Sequence, residues 1–286
     1  MNRVVGFIRL MRPVNCLMMG FAVLVGAALA DSNALGNSWQ NLIYGFSTGF
    51  LLTAASMAIN DYYDREIDAV NEPSRPIPSG LINPGEALAF ALILIALGLV
   101  TAVLTNTSAV SCFATAIFFW LISATYVTVG KRTGLPGNFL VSACVSAPFI
   151  YGSLAVTNDV KLKIWIFVSM VFLSNTGREI TKGIVDVQGD KARNVKTLAV
   201  RYGEQKAAVA AVIFYMIAVA LTPLPPLLNL VFFWFTPLVV VADAGFVASS
   251  IMLLKDYSRE NARKVKNQVL VWFFTGLIAF MAGSLS

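Results

Sequence analysis

Apolar runs long enough to cross a bilayer recur along this 286-residue chain, and nothing else in it limits the possible folds so severely. A membrane helix needs about 20 such residues, and a helix satisfies every backbone polar group internally. Only 13% of residues are charged and 57% are hydrophobic, where an ordinary globular domain is roughly a quarter charged. The chain therefore reads as an all-α, polytopic membrane protein, a single domain over residues 1–286. Nine spans are expected near Val14–Ala30, Leu42–Ile59, Ala87–Thr105, Val110–Val129, Phe139–Val156, Ile164–Asn175, Ala207–Leu221, Leu230–Leu254 and Val269–Leu285. The sixth is short before Gly177 and Arg178, so it is expected to run on as a partly polar helix. Pro223, Pro225 and Pro226 break the chain between the seventh and eighth. Arg3, Arg9 and Arg12 precede the first apolar run, which is long enough to remain as a span rather than leave as a signal peptide.

Charge sets the expected orientation. The net charge of +6 comes from Lys and Arg spread over short connections. That pattern fits cytoplasmic loops facing anionic lipid and argues against nucleic acid as a partner. With the N-terminus cytoplasmic, Lys161 and Lys163 alone fall outside, and 19 of the 21 basic residues, Arg193 among them, stay inside. The C-terminus is then outside the cell membrane. Histidine is absent, which excludes imidazole metal sites and histidine acid–base chemistry. Cys16, Cys112 and Cys144 lie in apolar segments without a CxxC pattern and read as packing residues.

Against this background the stretch NDYYDREIDAVNEPSRPIPSG, residues 60–80, is unusual. If the second span continues through it as a helix, Asn60, Asp61, Asp64 and Asp68 fall within about 100° of one another. Such a stripe repels itself unless a cation sits on it, and hard oxygen ligands suit Mg²⁺ or Ca²⁺. Asp186 and Asp190 form a second pair at the same i, i+4 spacing, 122 residues after Asp64 and Asp68. Both pairs lead into basic, turn-rich segments ending in Ser79-Gly80 and Tyr202-Gly203, a weak internal repetition. On one helix, Asn175, Glu179, Lys182, Asp186 and Asp190 share an arc of about 80°, although Gly177, Gly183 and Gly189 weaken that helix.

The plain alternative is a pair of solvated loops. An isolated Asp in hydrocarbon costs roughly 2.5–3.5 kcal/mol, so carboxylates that abut an apolar span without a linker are expected to turn into a polar cavity. Two carboxylate stripes on one face suit a diphosphate gripped through Mg²⁺, which keeps substrate oxygens among its ligands. Arg75, Lys131, Arg178 and Lys182 are placed to bind phosphate oxygens. No P-loop, GxSxG, HExxH or GxGxxG is present, and the acids do not fit an EF-hand. Asp243 stands alone in the eighth span and is expected to make a helix–helix hydrogen bond.

NDYYDREID resembles the NDxxDxxxD signature of the UbiA-type intramembrane prenyltransferases, and DVQGD followed by KARNVKTLAVRYG resembles that superfamily's second acidic motif. RPVNC at Arg12–Cys16, NEPSRPIPSG, KRTGLPGN at Lys131–Asn138 and NTGREITKGIVDVQGD at Asn175–Asp190 are similar to the archaeal ether-lipid branch, the digeranylgeranylglyceryl phosphate synthases. The resemblance implies nine helices around a central cavity under a cytoplasmic cap. It implies two Mg²⁺ ions held by Asn60, Asp64, Asp68, Asp186 and Asp190; Asp61 also matches the signature, with Asn60 competing for the first ligand position. Tyr126 and Lys131 or Arg132 would face the diphosphate and the allylic cation, and Asn15, Arg75, Arg178 and Lys182 would join in substrate binding.

The implied reaction moves a geranylgeranyl group from geranylgeranyl diphosphate to the hydroxyl of geranylgeranylglyceryl phosphate. On that reading Arg12, Arg75 or Lys131 holds the acceptor's phosphate, and Phe118, Phe119 and Tyr126 shield the cation. An aromatic acceptor is the nearest rival. A cation-coupled transporter is the more distant one, and would place its carboxylates near mid-span.

Overall fold

The computed structural model describes residues 2–106, 110–192 and 195–285; Arg193, placed above among the cytoplasmic cations, lies outside them. Every regular element among the described residues is helical. Helices α1 (Arg3–Met11) and α2 (Pro13–Ala30) meet at Arg12, whose left-handed φ of 54° turns the chain before Pro13 opens α2. A short α3 (Ala34–Asn37) leads into α4 (Trp39–Asn71), followed by α5 (Pro84–Thr105), α6 (Ser111–Thr128), a 3₁₀ turn (Gly130–Thr133) and α7 (Leu135–Thr157). The second half comprises α8 (Leu162–Val185), α9 (Val187–Ala192), α10 (Leu198–Tyr202), α11 (Glu204–Leu221), α12 (Leu224–Leu227), α13 (Phe235–Lys255) and α14 (Arg259–Ser284).

Eight of the described helices are long and apolar enough to cross a membrane, one fewer than expected: α2, α4, α5, α6, α7, α11, α13 and α14. The missing one is α8, whose last two turns carry Arg178, Glu179 and Lys182. It nevertheless runs from one end of the bundle to the other. It starts after α7, whose Ala155 carbonyl accepts from Asn41 at the head of α4. It ends where the Val185 carbonyl accepts from Arg259 Nε at the head of α14. Two boundaries also move: the eighth span begins at Phe235 rather than Leu230, and the last begins at Arg259, well ahead of Val269.

With 33 residues, α4 is about 50 Å long, well beyond the hydrocarbon thickness of about 30 Å. Its polar last turns, which carry the first acidic motif, therefore project past the apolar layer. A cap covers them. Leu10 of α1 packs with Ala58, Ile77, Ile82, Ala87 and Ala91, tying α1 and the α4–α5 connection to the helix ends. Arg9 donates to the Ser74 carbonyl, and Arg3 pairs with Glu86.

In lipid, apolar burial drives helix association weakly, so close backbone approach and interhelical hydrogen bonds carry more of the packing. Helices α2 and α7 touch backbone to backbone: a Cβ on Gly152 would lie 2.0 Å from the Val23 carbonyl oxygen, and one on Gly26 2.5 Å from that of Phe149. Tyr151 donates to Thr105 Oγ1 at 2.9 Å, joining α7 to α5. Ser56 and Ser123 join α4 to α6 at 2.7 Å. Thr222 donates to Asp243 Oδ2 at 2.7 Å, the expected helix–helix bond of that lone acid. The three cysteines are free, with Cys16 and Cys112 buried and Cys144 partly so.

The α2–α7 contact gives a direct test. Gly152→Val is expected to lower stability by about 1–3 kcal/mol or more, because the colliding atom is backbone and cannot rotate away. Gly85→Ala, which meets nothing within 4 Å, serves as the neutral control. Thermal melts in detergent distinguish the two, and equal midpoints would overturn this account of the packing.

Candidate active site

Helix α4 continues unbroken through Asn60, Asp61, Asp64 and Asp68, so the expected stripe exists. Asp61 and Asp68 are buried, at 3% and 4% exposure, and Asp64 is half-buried. Three carboxylates this close need opposite charge, and three connections deliver it. Arg12, at the α1–α2 junction, donates to Asp61 Oδ1 at 2.5 Å. Arg75, from the α4–α5 connection, donates to Asp68 Oδ2 at 2.5 Å and reaches Asp61 Oδ1 at 3.3 Å. Lys131, in the 3₁₀ turn after α6, donates to Asp64 Oδ2 at 2.6 Å. The Asn60 amide donates to that same oxygen at 3.0 Å, which leaves the Asn60 carbonyl oxygen free to face a cation.

Burial holds the Lys131 pKa below the ordinary lysine value, with Asp64 pulling the other way. Burial also raises the Asp68 carboxyl above its usual range, opposed by Arg75 and reinforced by Asp64 and Asp61.

The second motif differs from expectation. Helix α8 ends at Val185, Asp186 is its C-cap at φ −97° and ψ 5°, and Asp190 lies in the separate α9. Helical bonding bridges the break, with Asp186 N–H donating to the Lys182 carbonyl and Asp190 N–H to the Asp186 carbonyl. Both side chains are half-buried. Glu179, which sequence placed only on the arc, is the counter-ion here: Arg178 donates to it at 3.2 Å and Lys182 forms an ion pair with it at 3.6 Å. The two motifs meet electrostatically at Tyr126, whose hydroxyl interacts with Asp64 from one and with Asp190, Glu179 and Lys182 from the other.

Beside these groups lies a cavity of about 460 Å³, which Asn60 lines from the first motif and Arg178, Glu179 and Lys182 line from the turns before the second, while the motif aspartates and Lys131 stand outside its lining. Arg12, Asn15, Asn60, Arg75, Tyr126 and Lys182 line its polar end, while Val23, Leu52, Phe119, Trp120, Val145 and Phe273 line an apolar part. Along α4 the lining runs from Thr48 to Asn60, about 18 Å at about 1.5 Å per residue. The volume lies within the range usual for ligand pockets.

Two expected contributors stand elsewhere. Arg132 is exposed and engages through its backbone, its N–H donating to the Val129 carbonyl and its carbonyl accepting from Lys196 N–H. Phe118 is 59% exposed on the outer face of α6, and Trp120 lines the cavity in its place. One contributor was missed. Lys266 on α14 lines the cavity with Leu270 and Phe273, an i, i+4, i+7 face that sequence assigns equally well to helix packing. Among the described residues no three acids come together as a ready-made metal cluster, because the first-motif carboxylates are turned onto cations.

A membrane-embedded cavity, apolar along its length and lined by cations with Glu179 at one end, defines a protein that handles a lipid with an anionic head. The chain belongs to the UbiA prenyltransferase family, whose pattern matches residues 19–281, and it is thus a prenyltransferase. It is 36% identical over 279 residues to the digeranylgeranylglyceryl phosphate synthase of Archaeoglobus fulgidus, covering 96% of this chain and 94% of that protein. A solved structure described as "Structural and mechanistic insights into the biosynthesis of Digeranylgeranylglyceryl phosphate synthase in membranes" superposes with a TM-score of 0.77 at 30% identity, over 100% of this chain and 99% of its own. A UbiA homolog from Archaeoglobus fulgidus bound to DMAPP and Mg²⁺ shares the fold, with a TM-score of 0.71 at 18% identity over 96% of this chain and 99% of that one.

Removing the Asp61 carboxylate strands Arg12 and leaves Arg75 with Asp68 alone, each arginine being about a third exposed. Asp61→Asn is expected to lower stability by about 1–3 kcal/mol, below the full cost of breaking a buried pair because water still reaches both guanidinium groups. Asp31→Asn, at the opposite end of α2, provides the comparison. A melt of Asp61→Asn that matches the wild type would mean the pair is not formed in the membrane protein.

Proposed function

We propose that this chain, as a single membrane domain, transfers a geranylgeranyl group from geranylgeranyl diphosphate to the free hydroxyl of geranylgeranylglyceryl phosphate. The observation that carries this reading is the cavity itself: a long apolar bore that ends among Arg and Lys side chains, beside the two carboxylate motifs. Its full-length similarity to a digeranylgeranylglyceryl phosphate synthase supports the acceptor and the chain length.

The donor set fits Mg²⁺. Asn60, Asp64, Asp68, Asp186 and Asp190 offer hard oxygen ligands, and the Asn60 side chain already touches Asp64 of the stripe. Two ions suit two stripes. When bound, Mg²⁺ neutralises the charge that gathers on the departing diphosphate. Asp61 takes a different part, holding Arg12 and Arg75 at the polar end of the cavity.

The chain's own residues account for the rest. Arg75 and Lys131 exchange their carboxylate partners for phosphate oxygens as the diphosphate enters, so the donor's head is held by the cations that hold the motif together without it. The allylic C1–O bond then breaks and its electron pair leaves with the diphosphate. The acceptor's hydroxyl oxygen bonds to C1 and gives up its proton to the released diphosphate. Phe119, Trp120 and Tyr126 present aromatic surface to the allylic cation. The apolar lining keeps out water, which would otherwise capture that cation. The positive-inside pattern puts the motifs and the N-terminus on the cytoplasmic side and the C-terminus outside.

Purified protein with labelled geranylgeranyl diphosphate and Mg²⁺ is expected to form ether product with geranylgeranylglyceryl phosphate and none with 4-hydroxybenzoate; the reverse would assign an aromatic acceptor. Asp64→Asn and Asp186→Asn are each expected to lose at least about 100-fold in turnover, and excess EDTA to stop it. Wild-type rates under either condition would remove the metal from the chemistry. For orientation, a cysteine at Lys161 in a cysteine-free background is expected to react with an impermeant maleimide added to whole cells, and one at Lys255 is not.

A further inference from the structure

The cations in and beside the cavity fall into two groups that differ in how far they are neutralised. Arg12, Arg75 and Lys131 each have an aspartate of α4 as partner. Arg178 and Lys182 of α8 share a single carboxylate, Glu179. Lys266 of α14 makes no ion pair among the described residues; Asp186 and Glu179 attract it from a distance, while Arg178, Lys182 and Arg263 repel it. Arg178 Nε is buried and has no hydrogen-bond acceptor. This wall therefore carries a surplus of positive charge and an unused buried donor, and it faces the same cavity as Tyr126 and Asn60.

The position of Lys266 is well fixed. Arg259 clamps the head of α14 to the end of α8 through the Val185 carbonyl at 3.0 Å. Val265 and Val269, flanking Lys266, are fully buried in the same apolar cluster as Ile184 and Val185. Only the lysine stem is left to choose its direction, and it lines the cavity.

Prenyl transfer to a phosphate-bearing acceptor puts two anionic groups in one cavity, a diphosphate and a monophosphate. The α4 wall frees Arg75 from Asp68 and Lys131 from Asp64 when those carboxylates engage metal, which suits the diphosphate. The α8–α14 wall has cations in excess even before a ligand arrives. Engagement of Asp186 by metal would leave Lys266 to share Glu179 with Arg178 and Lys182.

We propose that Arg178, Lys182 and Lys266 form a separate monophosphate site, and that Lys266 is the residue that makes the enzyme select a phosphate-bearing lipid acceptor. This assignment rests on the acceptor named above and moves its phosphate away from Arg12, Arg75 and Lys131.

Steady-state kinetics on wild type, Lys266→Met and Lys266→Arg test it, with geranylgeranylglyceryl phosphate and its dephosphorylated counterpart, geranylgeranylglycerol, as acceptors. Lys266→Met is expected to raise the KM for the phosphorylated acceptor about 10-fold or more, the scale of one lost charge-assisted hydrogen bond. The KM for geranylgeranyl diphosphate should move far less. The preference for the phosphorylated over the dephosphorylated acceptor, as a ratio of kcat/KM, should fall by the same 10-fold and return with Lys266→Arg. An equal loss on both acceptors would make Lys266 a packing residue, and a rise confined to the donor's KM would give it to the diphosphate; either overturns the proposal, as does an unchanged preference. Lys266→Gln replaces Lys266→Met if the latter does not fold. Wild-type protein that makes no ether from geranylgeranylglyceryl phosphate would refute the acceptor itself, an outcome visible before any variant is compared.

Discussion

Three carboxylates on one buried stripe of α4 cannot stay charged without three positive charges beside them, and most of the polar end of this protein follows from that requirement. The cations come from three separate parts of the chain: the α1–α2 junction, the α4–α5 connection and the turn after α6. Each pair pins a connecting segment to the end of α4. The cap is thus held by the groups that the chemistry needs, and a ligand that attracts those cations also loosens their hold on the motif. Arg12 adopts a left-handed backbone conformation at the turn from which it reaches Asp61.

A second constraint runs along the bundle axis. The cavity passes from Thr48 and Tyr151, where hydroxyls satisfy one another, through apolar and aromatic side chains to the charged ring. A lipid with an anionic head finds each part of itself matched by this gradient. The close α2–α7 contact at Gly26 and Gly152 keeps two of the lining helices together, and large side chains there would force them apart. Asp243, an acid far from the motifs, is accounted for by its bond to Thr222 and needs no part in the reaction.

The comparison of sequence with structure divides along the range of the interactions. The first acidic motif was legible because its residues lie on one continuous helix, where spacing alone fixes direction. The second was half legible: Asp186 and Asp190 are both at the polar end, but the helix breaks between them, and no pattern marks the break beyond glycines that other helices here accommodate. The choice between Lys131 and Arg132 was open in the sequence because neighbours on a turn point apart, and only the approach of α4 selects Lys131. Phe118 and Phe119 posed the same problem on α6, and the lipid-facing side of that helix took Phe118.

What the sequence determined by itself was the solvent, the helical class and the location of the acidic chemistry, all set by local composition and by periods that a single helix obeys. What only the tertiary structure decided was partnership. It paired Arg12 with Asp61 across 49 positions, made Glu179 a counter-ion rather than one more acid of the stripe, and brought Lys266 of the last helix to the cavity. Those choices depend on which helix faces which, and charges far apart in the chain acquire that relation only when the bundle packs.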